Sequence, residues 1–230
     1  MHRFWPSFLM IISTVCVVLA LIIALVYHYD LLTSIESVTG LILLLAVTGF
    51  IWLSQRFPNS QKSLKEKDRA ILVGLALGLL WMIEIGINNF LAPPLPARDI
   101  IDNIFWLGIA LAMLLFAIIQ AFKTGRISQG VNAGFWSGFA SGLLACGMAL
   151  LLVVFGIKWI LQDPLNLAEW AKRGASSQAP TMAAYFAYET FAGALSHLII
   201  LGMLMGGLLG ILGGLVGKGS RALLHFLHPG

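Results

Sequence analysis

Residues 70–91 read AILVGLALGLLWMIEIGINNFL, and across these positions only Glu84 carries an ionisable side chain. A hydrocarbon core about 30 Å thick needs about 20 apolar residues per spanning helix. The stretch therefore reads as a membrane span, and its lone acid is the anomaly to explain. The same length criterion picks out five further runs, about 8–27, 35–54, 104–122, 133–157 and 191–217. The composition agrees. The chain of 230 residues is 59% hydrophobic and 10% charged, whereas a soluble domain carries about a quarter charged residues. Too little polar surface exists to face water, which argues against a soluble enzyme or a nucleic-acid binder despite a net charge of +4. The expected fold is all-α, a six-span transmembrane helical bundle forming a single integral membrane domain over 1–230.

The first run follows Arg3 and is about 20 residues long, longer than the apolar core of a cleaved signal, about 7–15 residues. It reads as a retained signal anchor and first span. Cys16 and Cys146 fall near the middle of apolar runs, without zinc-ligand spacing, and read as small packing residues.

Loop charges set the expected orientation. Arg3, Arg56, Lys62, Lys65, Lys67, Arg69, Lys123, Arg126, Lys218 and Arg221, ten of the fourteen basic residues, fall on one side of a six-span alternation. Arg98, Lys158, Lys172 and Arg173 fall on the other side, mixed with Asp30, Asp99, Asp102, Asp163, Glu169 and Glu189. Basic loops stay cytoplasmic, so both termini are expected inside a cell (plasma) membrane. The basic segment 55–69 reads as a topology determinant, with anionic lipid headgroups as a lesser use.

On the outer side, Pro93, Pro94 and Pro96 stiffen the turn after the third span. The segment 162–190 is the longest connection. Asp163 before Pro164 is a helix start with cap and proline in order, Glu169 can reach Lys172 and Arg173, and Gly174 supplies a stop. This segment is expected to lie in the interface, with Trp170 at headgroup depth. A straight helix over 181–217 would be about 55 Å long, so a bend or an interfacial part is expected there.

Glycines suggest a duplication. At an offset of 64, Gly74 aligns with Gly138, Ala76 with Ala140, and Gly78 with Gly142. Spans 3–4 and 5–6 are therefore expected to be parallel copies of a helical hairpin. Small residues four apart let helix backbones approach closely in lipid. Gly134, Gly138 and Gly142 make one such line, and Gly202, Gly206, Gly210 and Gly214 make another in the last span, expected to be central.

The chemistry of soluble sites is missing: no P-loop, dinucleotide fingerprint, HExxH or CxxC occurs. His2, His28, His197, His225 and His228 are scattered, so no metal or cofactor is expected. Ser141-Gly142 in span 5 and His197 in the last span resemble the serine and histidine of the rhomboid intramembrane proteases. The resemblance covers only these residues. That family's GxSG needs glycine where Phe139 stands, and its HxxxN segment has no counterpart, since span 3 lacks histidine. From the span boundaries, Ser141 lies about 12 Å from the inner end and His197 about 9 Å from the outer one, levels that miss in a core about 30 Å thick. No enzyme activity is expected.

Glu84 is the candidate site. Ionisable groups in spans are costly and face protein or a water-filled cavity. Asn88 shares its face at i+4, Asn103 stands at the outer entry to span 4, and His197 lies at nearly the same depth. Together they are expected to line a polar pocket opening outward. The repeat partner of Glu84 is Met148, so the acid belongs to one copy only. The simplest structural role is a protonated glutamate holding helices together. The expected function is a non-enzymatic scaffold or sensor coupling that pocket to a membrane or cytoplasmic protein partner. The alternative is a small-solute or ion permease or channel subunit using Glu84.

Overall fold

In lipid the backbone must satisfy its own hydrogen bonds, so apolar runs of this length fold as helices. The computed structural model describes residues 4–27, 35–56, 61–177 and 179–227, which are nearly all helical, with no strand among them. His2, Arg3, His28, Asp30 and His228 lie outside the described residues, as do the side chains of Lys62 and His225.

Among the described residues eight α-helices follow in order: α1 (Phe4–Val26), α2 (Ile35–Arg56), α3 (Gln61–Gly86), α4 (Ala97–Thr124), α5 (Ile127–Gln162), α6 (Pro164–Arg173), α7 (Met182–Ser196) and α8 (Met205–Leu227). A π-helical turn, Ile87–Leu91, extends α3, and a longer one, His197–Leu204, joins α7 to α8 into one continuous run. Among the described residues five helical runs are long and apolar enough to cross a membrane: Ser7–Val26, Lys65–Leu91, Ala97–Thr124, Ile127–Gln162 and Met182–Leu224. The second apolar run of the sequence is the shorter helix Val38–Ser54.

The exposed surface is strongly apolar, as a membrane-spanning bundle requires. On α4, Ile100, Ile104, Leu107, Leu111, Leu115, Ile119 and Phe122 are all exposed, a continuous apolar stripe at three- and four-residue spacing. In water such a stripe would drive aggregation; against acyl chains it is the natural outer face. The opposite face of α4 buries Ile109, Met113, Ala117 and Ala121.

The central helix is α5, which packs against α1, α3, α4, α7 and α8. Its small residues explain this: Gly134, Ser137, Gly138, Ala140, Ser141, Gly142 and Ala145 are all buried. The last helix, expected to be central and contacted on more than one face, packs on both α4 and α5 and leaves a further face, with Leu208, Ile211, Leu212, Leu215 and Val216, exposed. It packs through two glycine lines. Along one, Gly130 faces Gly214, Gly134 faces Gly210 and Gly206, Gly138 faces Gly206 and Gly202, and Gly142 faces Gly202, so α5 and the last helix run antiparallel, backbone against backbone. Along the other, Gly213 meets Ala117 and Gly217 meets Ile118 and Ala121 of α4, a parallel pair.

The glycines aligned by sequence do different work. Gly74 lies against Ser137 and Ala140, and Gly78 against Leu144, so α3 packs in parallel on α5 and only lightly on α4. Gly138 and Gly142 instead face the last helix. The two hairpins are thus closed differently, the second by a glycine seam that the first lacks.

α1 packs on α5 and α2 packs on α1; α1 and α2 are joined by a hydroxyl pair, Ser13 donating to Thr48 Oγ1 at 3.0 Å. At the basic end, Lys67 Nζ donates to Ser54 Oγ at 3.2 Å and lies 3.8 Å from the Trp136 ring centre. There Gly125, at φ 70°, ends α4, and Arg221 Nη1 donates to the terminal carbonyl of Lys123 at 2.8 Å. The basic ends of α2, α3, α4 and the last helix therefore gather on one side of the bundle.

Candidate functional site

Glu84 lies two residues before the end of α3 and is 6% exposed. Just beyond it the helix widens into the π turn Ile87–Leu91, which ends at Ala92 with φ 45°. π turns insert an extra residue into the helical repeat and recur at functional sites. This one carries Asn88 and Asn89. Asn89 Nδ2 donates back to the carbonyl of Ile85 at 2.8 Å, whereas Asn88 turns inward. Its single amide nitrogen donates to Glu84 Oε1 at 2.7 Å and to Asp102 Oδ1 of α4 at 2.7 Å. The carboxyl groups of Glu84 and Asp102 lie side by side, bridged by one amide.

This arrangement is electrostatically incomplete. Glu84 Oε2 and Asn88 Oδ1 are both buried and unpartnered. No lysine, arginine or histidine pairs with either carboxyl among the described residues. Arg98, one turn before Asp102 on α4, points elsewhere: its Nη2 donates to Asp163 Oδ2 at 2.8 Å. Asp163 in turn caps α6, accepting from the Leu165 amide at 3.0 Å, with Pro164 in the first helical position.

The four residues expected in one pocket separate into three places. Glu84 and Asn88 are joined. Asn103 is exposed and donates to the carbonyl of Asp99 at 2.7 Å, because the helical rotation that brings Asp102 inward carries its neighbour outward. His197 stands one turn further from the α3 end than Glu84, edge-on to Trp81 at 5.2 Å, with Nδ1 at 2.9 Å from the carbonyl oxygen of Gly193. Trp81 also meets Trp106 at 5.3 Å. Asp102, read from the sequence only as a loop charge, is the residue missed. Its place at i+4 from Arg98 and five residues inside α4 was available as a signal.

The depth comparison for Ser141 and His197 also changes. The carbonyl of His197 abuts Gly142, so the two residues share a level. The helices are longer than the apolar runs, which displaced the inferred ends. The Ser141 hydroxyl donates within its own helix to Gly138 at 2.9 Å, and the histidine ring is turned to Gly193 and Trp81. They form no dyad.

No family model, curated protein or solved structure matches this chain. Among the described residues no group of three or more His, Cys, Asp or Glu side chains converges on one point; the carboxyl pair is completed by an amide.

Proposed function

We propose that this is a non-enzymatic, six-span protein of the cell membrane, with both termini cytoplasmic, that senses conditions at its outer face through Glu84, Asn88 and Asp102. The observation that carries the reading is the buried Glu84 carboxyl, which pairs with no basic side chain among the described residues and has one oxygen unpartnered. A group held only for helix packing has no reason to leave acceptors stranded at a cost of about 1–3 kcal/mol each. Counting α2 as a span, short as its apolar part is, gives the alternation in which the gathered basic ends face the cytoplasm. From the site, α3 runs unbroken to Gln61 at that basic end and packs along α5. A shift at the carboxyl pair is thereby delivered to the side where a membrane or cytoplasmic partner would read it.

Orientation is tested by single cysteines in a protein whose Cys16 and Cys146 have been replaced. Cysteine at Asp102 or Lys172 is expected to react with an impermeant thiol reagent on intact cells, and cysteine at Lys65 or Lys123 only after permeabilisation. The reverse order overturns the topology. The site is tested by Glu84→Gln, which keeps shape and removes charge. Insertion and folding are expected to survive, while the response of Trp81 fluorescence to outer conditions is lost. Glu84-dependent solute flux in proteoliposomes would instead make the protein a permease.

A further inference from the structure

We propose that Glu84, Asn88 and Asp102 form a binding site for a calcium-sized divalent cation, and that the Asn88 amide occupies the cation's position when it is absent. This rests on the sensing site proposed above and names its ligand.

The geometry argues for it in three steps. First, the position between the carboxyls is taken by a positively polarised group, the Asn88 NH2, at 2.7 Å from each of two oxygens. That is the place and polarity of a cation, filled by a weak substitute. Two carboxylates match a divalent charge, which a neutral amide does not supply. Second, the site's two stranded atoms are acceptors of the hard oxygen type, Glu84 Oε2 in a side chain 6% exposed and Asn88 Oδ1, while the third buried unpartnered atom, Arg98 Nε, is a donor on the guanidinium that Asp163 holds. Rotating the Asn88 amide by half a turn withdraws its NH2 and presents Oδ1 to the site. One rotation then converts a bridging donor into a ligand and gives both stranded oxygens a partner. Third, the donor set fits. Calcium takes 6–8 oxygens, from carboxylates and amide carbonyls with water completing the shell, and this site offers two carboxylates and one amide oxygen. Asp102 is only partly buried, leaving a side for water. Arg98, the cation nearest along α4, is held away by Asp163.

The π turn suits the exchange, since its five-residue hydrogen-bond spacing differs from that of α3 and gives Asn88 its own setting. Trp81, three residues before Glu84, and Trp106, four after Asp102, stand in contact and provide a built-in antenna.

The experiment uses the full chain in detergent with terbium(III) as probe, excited through tryptophan. Saturable sensitised emission is expected, displaced by calcium and left unchanged by sodium at equal ionic strength. Glu84→Gln and Asp102→Asn are each expected to weaken binding at least tenfold. Asn88→Asp, which replaces the substitute donor with a third carboxylate, is expected to tighten binding at least tenfold and to make the cation-free protein less heat-stable, with calcium restoring it. Should Asn88→Asp fold only with the cation present, purification in calcium followed by chelator-induced unfolding supports the proposal equally. No calcium-displaceable emission, an unchanged Glu84→Gln, or an Asn88→Asp that loses stability without gaining affinity each overturns it in favour of a purely structural amide bridge. Binding in detergent is independent of orientation, so this result stands or falls apart from the labelling of intact cells.

Discussion

Adding one methyl group at Gly138 is expected to destabilise the protein sharply, while the same methyl group at Gly108 does not. A Cβ on Gly138 would fall on the carbonyl oxygen of Gly202 and 2.8 Å from the Cα of Gly206. Both obstacles are backbone, so neither can rotate away. The two helices would have to separate along the whole seam that runs from Gly130–Gly214 to Gly142–Gly202. Association in lipid depends on close packing and has no hydrophobic drive of its own between helices, so there is little to offset the loss. Overpacking alone costs about 1–3 kcal/mol, and a rigid backbone contact places Gly138→Ala at the upper end or beyond. Gly138→Leu should not assemble. Gly108, with nothing within 4 Å, sits on the lipid face of α4, where alanine favours the helix by about 1 kcal/mol. Thermal unfolding of the two alanine variants in detergent is expected to shift in opposite directions. Equal shifts would show that the α5 seam is not the tight contact described.

The seam also shows what could be read from the sequence. Glycine at four-residue spacing announces a close helix contact, and both lines were visible in 134–142 and 202–214. Which line meets which was not, because spacing fixes the face of a helix and leaves its neighbour open. The alignment of Gly74 with Gly138 therefore suggested equivalent hairpins, while the fold uses one glycine against α5 and the other against the last helix. The acid told a similar story. Glu84 stood out because it was alone in an apolar run, and Asn88 followed from the helical repeat. Asp102 was hidden by its place among loop charges, and Asn103 was favoured by type. One step of about 100° around α4 decided between them, a rotation that only packing sets. The helix ends were misplaced for a plain reason. Apolar runs mark the lipid-facing length, and α5 and the last helix continue past it in both directions.

The second large effect is expected at the outer ion pair, where the two partners differ in what they leave behind. Asp163 is 3% exposed and serves twice, with Oδ2 accepting from Arg98 and Oδ1 accepting from the Leu165 amide. Arg98→Met strands a buried carboxylate, and breaking a buried pair from one side costs about 3–5 kcal/mol. Asp163→Asn is expected to cost less. Asparagine caps a helix as well as aspartate does, and the arginine, 15% exposed in its side chain, is not left alone, since Asp102 lies within its reach at i+4. Combining Arg98→Met with Asp163→Asn leaves no charge stranded, and the pair should be more stable than Arg98→Met alone. A neutral Arg98→Met would show that the pair is not buried in the membrane-embedded protein. The freed arginine has one more consequence. Asp102 lies one turn along α4, at the i,i+4 spacing where an arginine and an aspartate attract, and Asp163 is what keeps Arg98 from it. Asp163→Asn is therefore expected to weaken terbium binding at the Glu84 site severalfold, although Asp163 touches none of its oxygens. Adding Arg98→Met should restore the affinity. If affinity stays lost with the arginine gone, the effect came from displacement of α6, and the charge relay from Asp163 through Arg98 to Asp102 is wrong.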